Sequence, residues 1–263
     1  MTNPVPIALA QLNAHLGNID ANISRLARAR AKAATNGAEI IVTPEMYLSG
    51  YPCDDLVLRD DFMNDIAAGI DQLALLTADG GPAIAVGAPT QDSGSIYNSV
   101  FVLDDGKQIA RFDKVNLPNY GVFDDKRNFT SGQMPGPIML RGLKIGFPIC
   151  EDIWEPDVAE CLEESGADLI IAMNASPFDS TKPERRLQNA IARGVETGLP
   201  VIYVNMIGGQ DELVYDGGSF AINAGGKLAC CSPSFSESVP VSYTHLRAHE
   251  TRGNLVWRLR REK

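Results

Sequence analysis

Lys144-Ile145-Gly146-Phe147-Pro148-Ile149-Cys150-Glu151-Asp152-Ile153-Trp154 is the stretch that decides the fold. Its first half is apolar and β-prone. A thiol and two carboxylates follow, and Asp157 to Ser165 beyond them has helical character. That order describes a strand carrying a side chain into a sharp turn before a helix. In open α/β folds, ligands and chemistry collect at the carboxyl ends of strands, so Cys150 is a candidate nucleophile. A cysteine among apolar neighbours also serves as a small core hydrophobe, and the rest of the chain has to separate the two readings.

Towards the N-terminus the same grammar repeats. Ile7 to Leu12 reads as a buried strand, and Ile19 to Ala31 as a helix capped by Asn18 and stopped at Asn36-Gly37. Ala38 to Thr43 is a strand ending at Pro44-Glu45, a second helix runs from about Arg59 to Thr77, and Ala83 to Gly87 is again a strand. Tyr97–Leu103 and Gln108–Phe112 flank Asp104-Asp105-Gly106-Lys107 as a hairpin whose second arm leads to Lys114. Leu117 to Pro137 has little periodicity and is expected to cover a site. Downstream come a strand over Ala167–Met173, a helix over Pro183–Thr197 and a strand over Pro200–Asn205. A loop is expected from Gly208-Gly209-Gln210, and a last hairpin joins Gly217–Asn223 to Lys227–Cys231. Strands alternating with helices, with hairpins interleaved, predict a mixed α/β sheet protein.

Composition narrows the function classes. The chain has 263 residues, 44% hydrophobic and 21% charged, enough for one large α/β domain. No apolar run approaches a membrane span, and no signal peptide is evident at Met1-Thr2-Asn3-Pro4. Five scattered cysteines without a C-x-x-C pair point to reduced thiols in the cytoplasm rather than zinc or disulfides, and no metal site is expected. A formal charge of −10 argues against nucleic-acid binding. The charge is uneven: residues 241–263 carry six Arg or Lys against two acids. So abrupt a break marks a foreign segment, a linker or a binding arm.

Three ionisable residues, Glu45, Lys114 and Cys150, each sit just beyond an apolar strand. Singly, Glu45 reads equally as a loop acid and Lys114 as a surface cation, but strand ends on one edge of a sheet converge. Together they support one chemistry. A thiol needs a base to become the attacking thiolate at neutral pH. Glu45 would take that proton and later activate water. Lys114, with the backbone N–H after Cys150, would stabilise the oxyanion of a tetrahedral intermediate. The outcome is acyl transfer from a carbon–nitrogen bond to a thioester, then hydrolysis. His15 is the one histidine outside the basic tail, which disfavours a Cys–His pair.

The order Glu45, Lys114, Cys150 resembles the nitrilase, or carbon–nitrogen hydrolase, superfamily. Narrower phrases resemble the glutaminase domain of glutamine-dependent NAD+ synthetases: Thr43-Pro44-Glu45-Met46-Tyr47-Leu48-Ser49-Gly50-Tyr51-Pro52, Lys114-Val115-Asn116-Leu117-Pro118-Asn119-Tyr120-Gly121-Val122-Phe123-Asp124, Cys150-Glu151-Asp152-Ile153-Trp154, Asn174-Ala175-Ser176-Pro177-Phe178 with Lys182, and Asn205-Met206-Ile207-Gly208-Gly209-Gln210-Asp211-Glu212-Leu213-Val214-Tyr215-Asp216-Gly217-Gly218-Ser219. The resemblance spans about residues 5 to 239. It implies a four-layer α-β-β-α sandwich that frees ammonia from L-glutamine without a cofactor, and an oligomer. It also implies substrate contacts at Tyr120, Phe123, Glu151, Ser176 and Lys182. Lys182 would pair the carboxylate of the amino acid and Glu151 its ammonium. Residue types alone also allow Tyr120 as a packing aromatic, Ser176-Pro177 as a turn and Lys182 as a solvated helix start.

Two departures accompany the resemblance. The family continues into a synthetase domain that uses ATP and magnesium, and its Ser-Gly-Gly-x-Asp-Ser phosphate loop is absent here. This chain is therefore expected to be the ammonia-generating half alone, acting with a synthetase partner domain. Tyr243 to Val256 is unlike the family and resembles translated sequencing-adapter sequence. The domain is accordingly placed at 1–240, with 241–263 as a disordered, artefactual tail and the domain's last strand missing, leaving an exposed edge. A free-standing amidase or carbamoylase, or a fragment that binds without turnover, are the competing readings.

Overall fold

Alternation within the strands dictates how the layers stack. The computed structural model describes residues 4–244. In the first sheet, β1 (Val5–Leu9), β2 (Ile40–Val42) and β3 (Ala83–Asp92) run parallel, and β4 (Ser95–Asp104) and β5 (Lys107–Asp113) add antiparallel. The second sheet repeats the plan. β6 (Ile138–Leu140) pairs antiparallel with β7 (Leu143–Gly146), which runs parallel to β8 (Leu169–Asn174) and β9 (Val201–Asn205). A separate hairpin, β10 (Ile207–Gln210) with β11 (Leu213–Asp216), intervenes before β12 (Phe220–Ile222) and β13 (Leu228–Cys231) complete that sheet.

Successive side chains on a strand face opposite ways, and each central strand divides accordingly. Ile40, Val42, Ala83 and Ala85 share one buried cluster with Leu169, Ile171, Met173, Ile202 and Val204, so these residues form the seam between the sheets. Their neighbours Ile41, Ile84 and Val86 instead pack with α1 (Ile19–Thr35) and α2 (Asp60–Leu76). After the one-turn α3 (Asp125–Asn128), the outer face of the second sheet is covered likewise. Ile170, Ala172, Val201 and Tyr203 pack with residues of α4 (Pro156–Glu164) and α5 (Lys182–Thr197). The layers are α-β-β-α, as expected.

Three expectations change. Gly208-Gly209-Gln210 does not open a loop: it is strand β10, in register with Leu213–Asp216. The strand before Cys150 stops at Gly146, and Ile149 returns to the sheet through a single parallel bridge to Met173. Finally, β14 (Val241–Thr244), the first four residues assigned to the tail, pairs antiparallel with Val5–Ala8. The β1 edge is thus covered rather than exposed, because Val241-Ser242-Tyr243-Thr244 is itself β-prone. The rest of the assigned tail, 245–263, lies outside the described residues.

Candidate active site

Glu45 follows β2, and the backbone around it lies against β3 so closely that only glycine fits opposite. A Cβ on Gly87 would sit 2.4 Å from the Met46 nitrogen and 2.7 Å from the Pro44 oxygen. Lys114 follows β5, its N–H donating to the Asn98 carbonyl at 2.8 Å. Cys150 opens a short 3-10 turn, Cys150–Ile153, with φ at +48°, a left-handed conformation unusual for a side-chain-bearing residue. Asp152 fixes the relation between the last two. One carboxylate oxygen accepts from the N–H groups of Val115 (3.1 Å) and Asn116 (2.7 Å), and the other from that of Ile149 (2.9 Å). Burial pushes the Asp152 carboxyl up to about 7 despite these donors.

The three strand-end residues meet. Lys114 Nζ donates to Glu45 Oε1 at 2.8 Å, both side chains being 1% exposed, and the buried Cys150 thiol lies close enough to Glu45 for that carboxylate to push its pKa up. Glu45 is further held by Asn98 Nδ2 on Oε1 (2.8 Å) and by the Ala175 N–H on Oε2 (2.9 Å). Lys114 also donates to Asp125 Oδ2 at 2.7 Å, and Asp125 Oδ1 accepts from the Tyr51 hydroxyl at 3.1 Å. An ammonium has three N–H donors, so two carboxylates leave one for a further acceptor. Burial alone would depress Lys114, but Glu45 and Asp125 outweigh it and hold the ammonium well above its ordinary range. Burial pushes the Cys150 thiol well up, Glu45 adds to this and Lys114 opposes it, so the resting sulfur is protonated. Burial likewise raises Asp125, against the pull of Lys114.

Four of the five substrate-contact candidates gather at one rim. The Tyr120 hydroxyl donates to Glu151, with oxygens at 2.8 and 3.0 Å, and the Tyr120 ring meets that of Phe123 edge-on at 5.7 Å. Lys182 Nζ lies 5.9 Å from the Phe123 ring centroid and 4.7 Å from that of Trp154. Tyr120 is 54% exposed and Glu151 half-buried. Ser176, the fifth, is buried instead, next to Ala175 whose N–H holds Glu45.

Sequence reasoning missed several residues of this cluster. Asp125 lies one position beyond the phrase ending at Asp124, and only the fold of its loop brings it to Lys114. Asn98 looked like an ordinary strand residue, and Tyr51 stood in the phrase after β2 without an assigned role. The Tyr215 hydroxyl is buried without a hydrogen-bond partner among the described residues, near enough to Glu45 for its charge to raise the tyrosine's pKa further after burial has done so. No group of His, Cys, Asp or Glu suited to a metal occurs among the described residues. No helix among them is long and apolar enough to cross a membrane.

Two facing sheets, helical outer layers and a buried acid–amine–thiol cluster at the strand ends define a nitrilase-type α-β-β-α sandwich. The chain belongs to the carbon-nitrogen hydrolase family, whose model matches residues 6–253. It is 42% identical over 239 residues to the glutamine-dependent NAD(+) synthetase of Rhodobacter capsulatus, covering 91% of this chain and 43% of that protein. Among solved structures, the glutamine-dependent NAD+ synthetase of Acinetobacter baumannii in complex with ADP superposes with a TM-score of 0.87 and 34% identity, over 95% of this chain and 48% of that one. The chain therefore spans under half the length of these relatives. A Nesterenkonia AN1 amidase from the nitrilase superfamily superposes with a TM-score of 0.82 and 25% identity, over 92% and 91% of the two chains. A variant of that amidase shows covalent addition of the acetamide moiety of fluoroacetamide at its active-site cysteine.

Proposed function

We propose that the chain hydrolyses the side-chain amide of L-glutamine through a Cys150 thioester, releasing ammonia for the synthetase half of a glutamine-dependent NAD+ synthetase. One observation carries this reading: a buried thiol beside a carboxylate that is itself held by a buried ammonium. As the sulfur attacks the amide carbon, Glu45 takes its proton, and negative charge builds on the former carbonyl oxygen. The spare N–H of Lys114 and the backbone N–H of Glu151 receive that oxygen. Glu45 then passes the proton to the departing nitrogen, ammonia leaves, and the thioester is hydrolysed by water that Glu45 deprotonates. Glu151 and Tyr120 hold the substrate ammonium, while Lys182 and Ser176 hold its carboxylate beside Phe123. No metal or cofactor takes part in this half-reaction; ATP and magnesium belong to the synthetase step. A cytoplasmic oligomer is the setting expected from the resemblance.

The amidase, similar over nearly its whole length, favours a second reading in which small neutral amides are the substrates. Ammonia release from L-glutamine, asparagine, acetamide and carbamoyl compounds separates the two, with glutamine expected to dominate. Preference for acetamide would overturn the first reading. Stoichiometric labelling of Cys150 by a glutamine-shaped electrophile, with no ammonia released, would show a site that binds without turnover.

A further inference from the structure

Behind the rim lies a buried ion pair with no part in the proton transfers above. Arg186, on α5, and Asp216, at the end of β11, are 2% and 1% exposed, and Arg186 Nη1 donates to Asp216 Oδ1 at 2.7 Å. The other donors of the guanidinium go to one place. Nη2 donates to the carbonyls of Ser176 (2.7 Å) and Pro177 (2.9 Å), and Nε donates to the Ser176 hydroxyl oxygen at 3.1 Å. Ser176 is held from its other side as well, its N–H donating to Asn205 Oδ1 at 2.9 Å.

A serine offers an N–H, a carbonyl, a hydroxyl oxygen and a hydroxyl proton. Asn205 takes the N–H and its Nδ2 also reaches the carbonyl at 3.4 Å, while Arg186 donates to the same carbonyl and to one lone pair of the hydroxyl. The hydroxyl proton remains, and beside it the buried Tyr203 hydroxyl, which has no other hydrogen-bond partner among the described residues, is the acceptor that a substrate anion would have to displace. We propose that Arg186, anchored by Asp216, is a positioning residue that fixes the Ser176 hydroxyl as a hydrogen-bond donor to an anionic group of the substrate, so that the site selects amides bearing a carboxylate. Arg186 suits this role better than lysine because a planar fork reaches several acceptors at once. Its charge is already matched by Asp216, so it organises the serine rather than pairing the substrate itself. The inference rests on the proposed glutaminase reading.

The test uses the purified chain and three electrophiles: the chloroketone analogue of L-glutamine, the same chloroketone lacking the α-carboxylate, and iodoacetamide. The rate of Cys150 modification by each is followed by intact mass. The parent protein is expected to prefer the carboxylate-bearing chloroketone over its decarboxylated counterpart. Arg186→Lys keeps a charge for Asp216 but not the fork. It should lower that preference about tenfold, the scale of a hydrogen bond to a charged group, while the iodoacetamide rate stays within about twofold. Ser176→Ala, which leaves the ion pair in place, should do the same, and the double variant should lose no more than either single one. Should the Arg186 variant not fold, Asp216→Asn takes its place, and Ser176→Ala still carries the test of the hydroxyl. The proposal is overturned if the Arg186 variant keeps the full preference of the parent, if both chloroketones and iodoacetamide slow equally, or if the two substitutions add. A parent protein that does not prefer the carboxylate-bearing reagent at all would instead sink the glutaminase reading beneath it.

Discussion

Replacing Lys114 by methionine removes one charge while nearly keeping side-chain length, and the structure sets what that should cost. The ammonium lies 2.8 Å from Glu45 and 2.7 Å from Asp125, with all three side chains almost inaccessible to water. At an effective dielectric constant near 20, each contact is worth about 6 kcal/mol of gross Coulomb attraction. Dehydration of the three groups offsets much of this, and removing one member of a buried pair typically leaves a net loss of about 3–5 kcal/mol. With a urea dependence of about 3 kcal/mol per molar, the unfolding midpoint should fall by about 1 M or more. On the proposed mechanism the chemical step loses a different quantity, the donor to the developing oxyanion, worth about 100- to 1,000-fold in rate. Rapid-quench mass spectrometry of the Cys150 acyl-enzyme measures that step apart from later hydrolysis. A folded variant that acylates within tenfold of the parent would remove Lys114 from the oxyanion site and leave it as an anchor for Glu45.

The remaining predictions use the same readouts. Glu45→Gln should bind glutamine with little change but slow both acylation and hydrolysis by about 100-fold or more, since both steps need its proton transfer; an effect confined to hydrolysis would contradict the shared base. Gly87→Ala should shift the backbone carrying Glu45, because a Cβ there meets main-chain atoms at 2.4 to 2.9 Å. Misplacement of about 1 Å costs about 100-fold in rate, and unchanged turnover would show that the contact relaxes freely. Asp152 holds a proton in the folded state up to about pH 7 that the unfolded chain releases near 4. The folded state therefore binds more protons between those values, and this residue's contribution to stability falls as pH rises across the window, by roughly 4 kcal/mol at most. Asp152→Asn should remove that slope from urea titrations between pH 4.5 and 7. It should also weaken the turn, since the amide nitrogen would face one of the backbone donors; an unchanged slope would assign the pH dependence elsewhere.

What the sequence revealed follows from how local each signal is. The helices were legible because their apolar periodicity and their caps lie within a few residues, as at Asn18, whose side chain does accept from Ala21. Glu45, Lys114 and Cys150 were legible because each follows an apolar run, and topology then brings strand ends together. Asp125 was not, since its role depends on Leu117–Pro137 folding back, with the Asp125 N–H donating to the Pro118 carbonyl. Arg186 sat in an unremarkable basic helix start, and only a contact 30 positions along the chain reveals it as buried. The glycines of β10 suggested a loop because backbone freedom and hairpin strands can share one sequence: Gly208 has φ at +127° with the Asn13 side chain packed against it. The composition break at Val241 reflected charge, whereas strand pairing with β1 depends on backbone hydrogen bonds that charge counts do not register.

The resting charge of the cluster bears on when the thiol becomes reactive. Burial and the Glu45 carboxylate both push the Cys150 pKa up, and Lys114, shared between two carboxylates, does not compensate. A standing thiolate would be a third anion beside a single ammonium, which the buried site disfavours. On the proposed mechanism, transfer to Glu45 becomes favourable only when an amide carbonyl accepts the electron pair and carries the charge towards Lys114. Two reactions of the same sulfur should then depend differently on pH. Alkylation by iodoacetamide needs free thiolate, so its rate should be low at pH 7 and still rising through pH 9. Acylation by glutamine moves the proton internally to Glu45 and should stay nearly flat from pH 7 to 9. A plateau in alkylation below pH 8 would mean a preformed thiolate, and Glu45 would then be needed for leaving-group protonation and water activation rather than for the first attack.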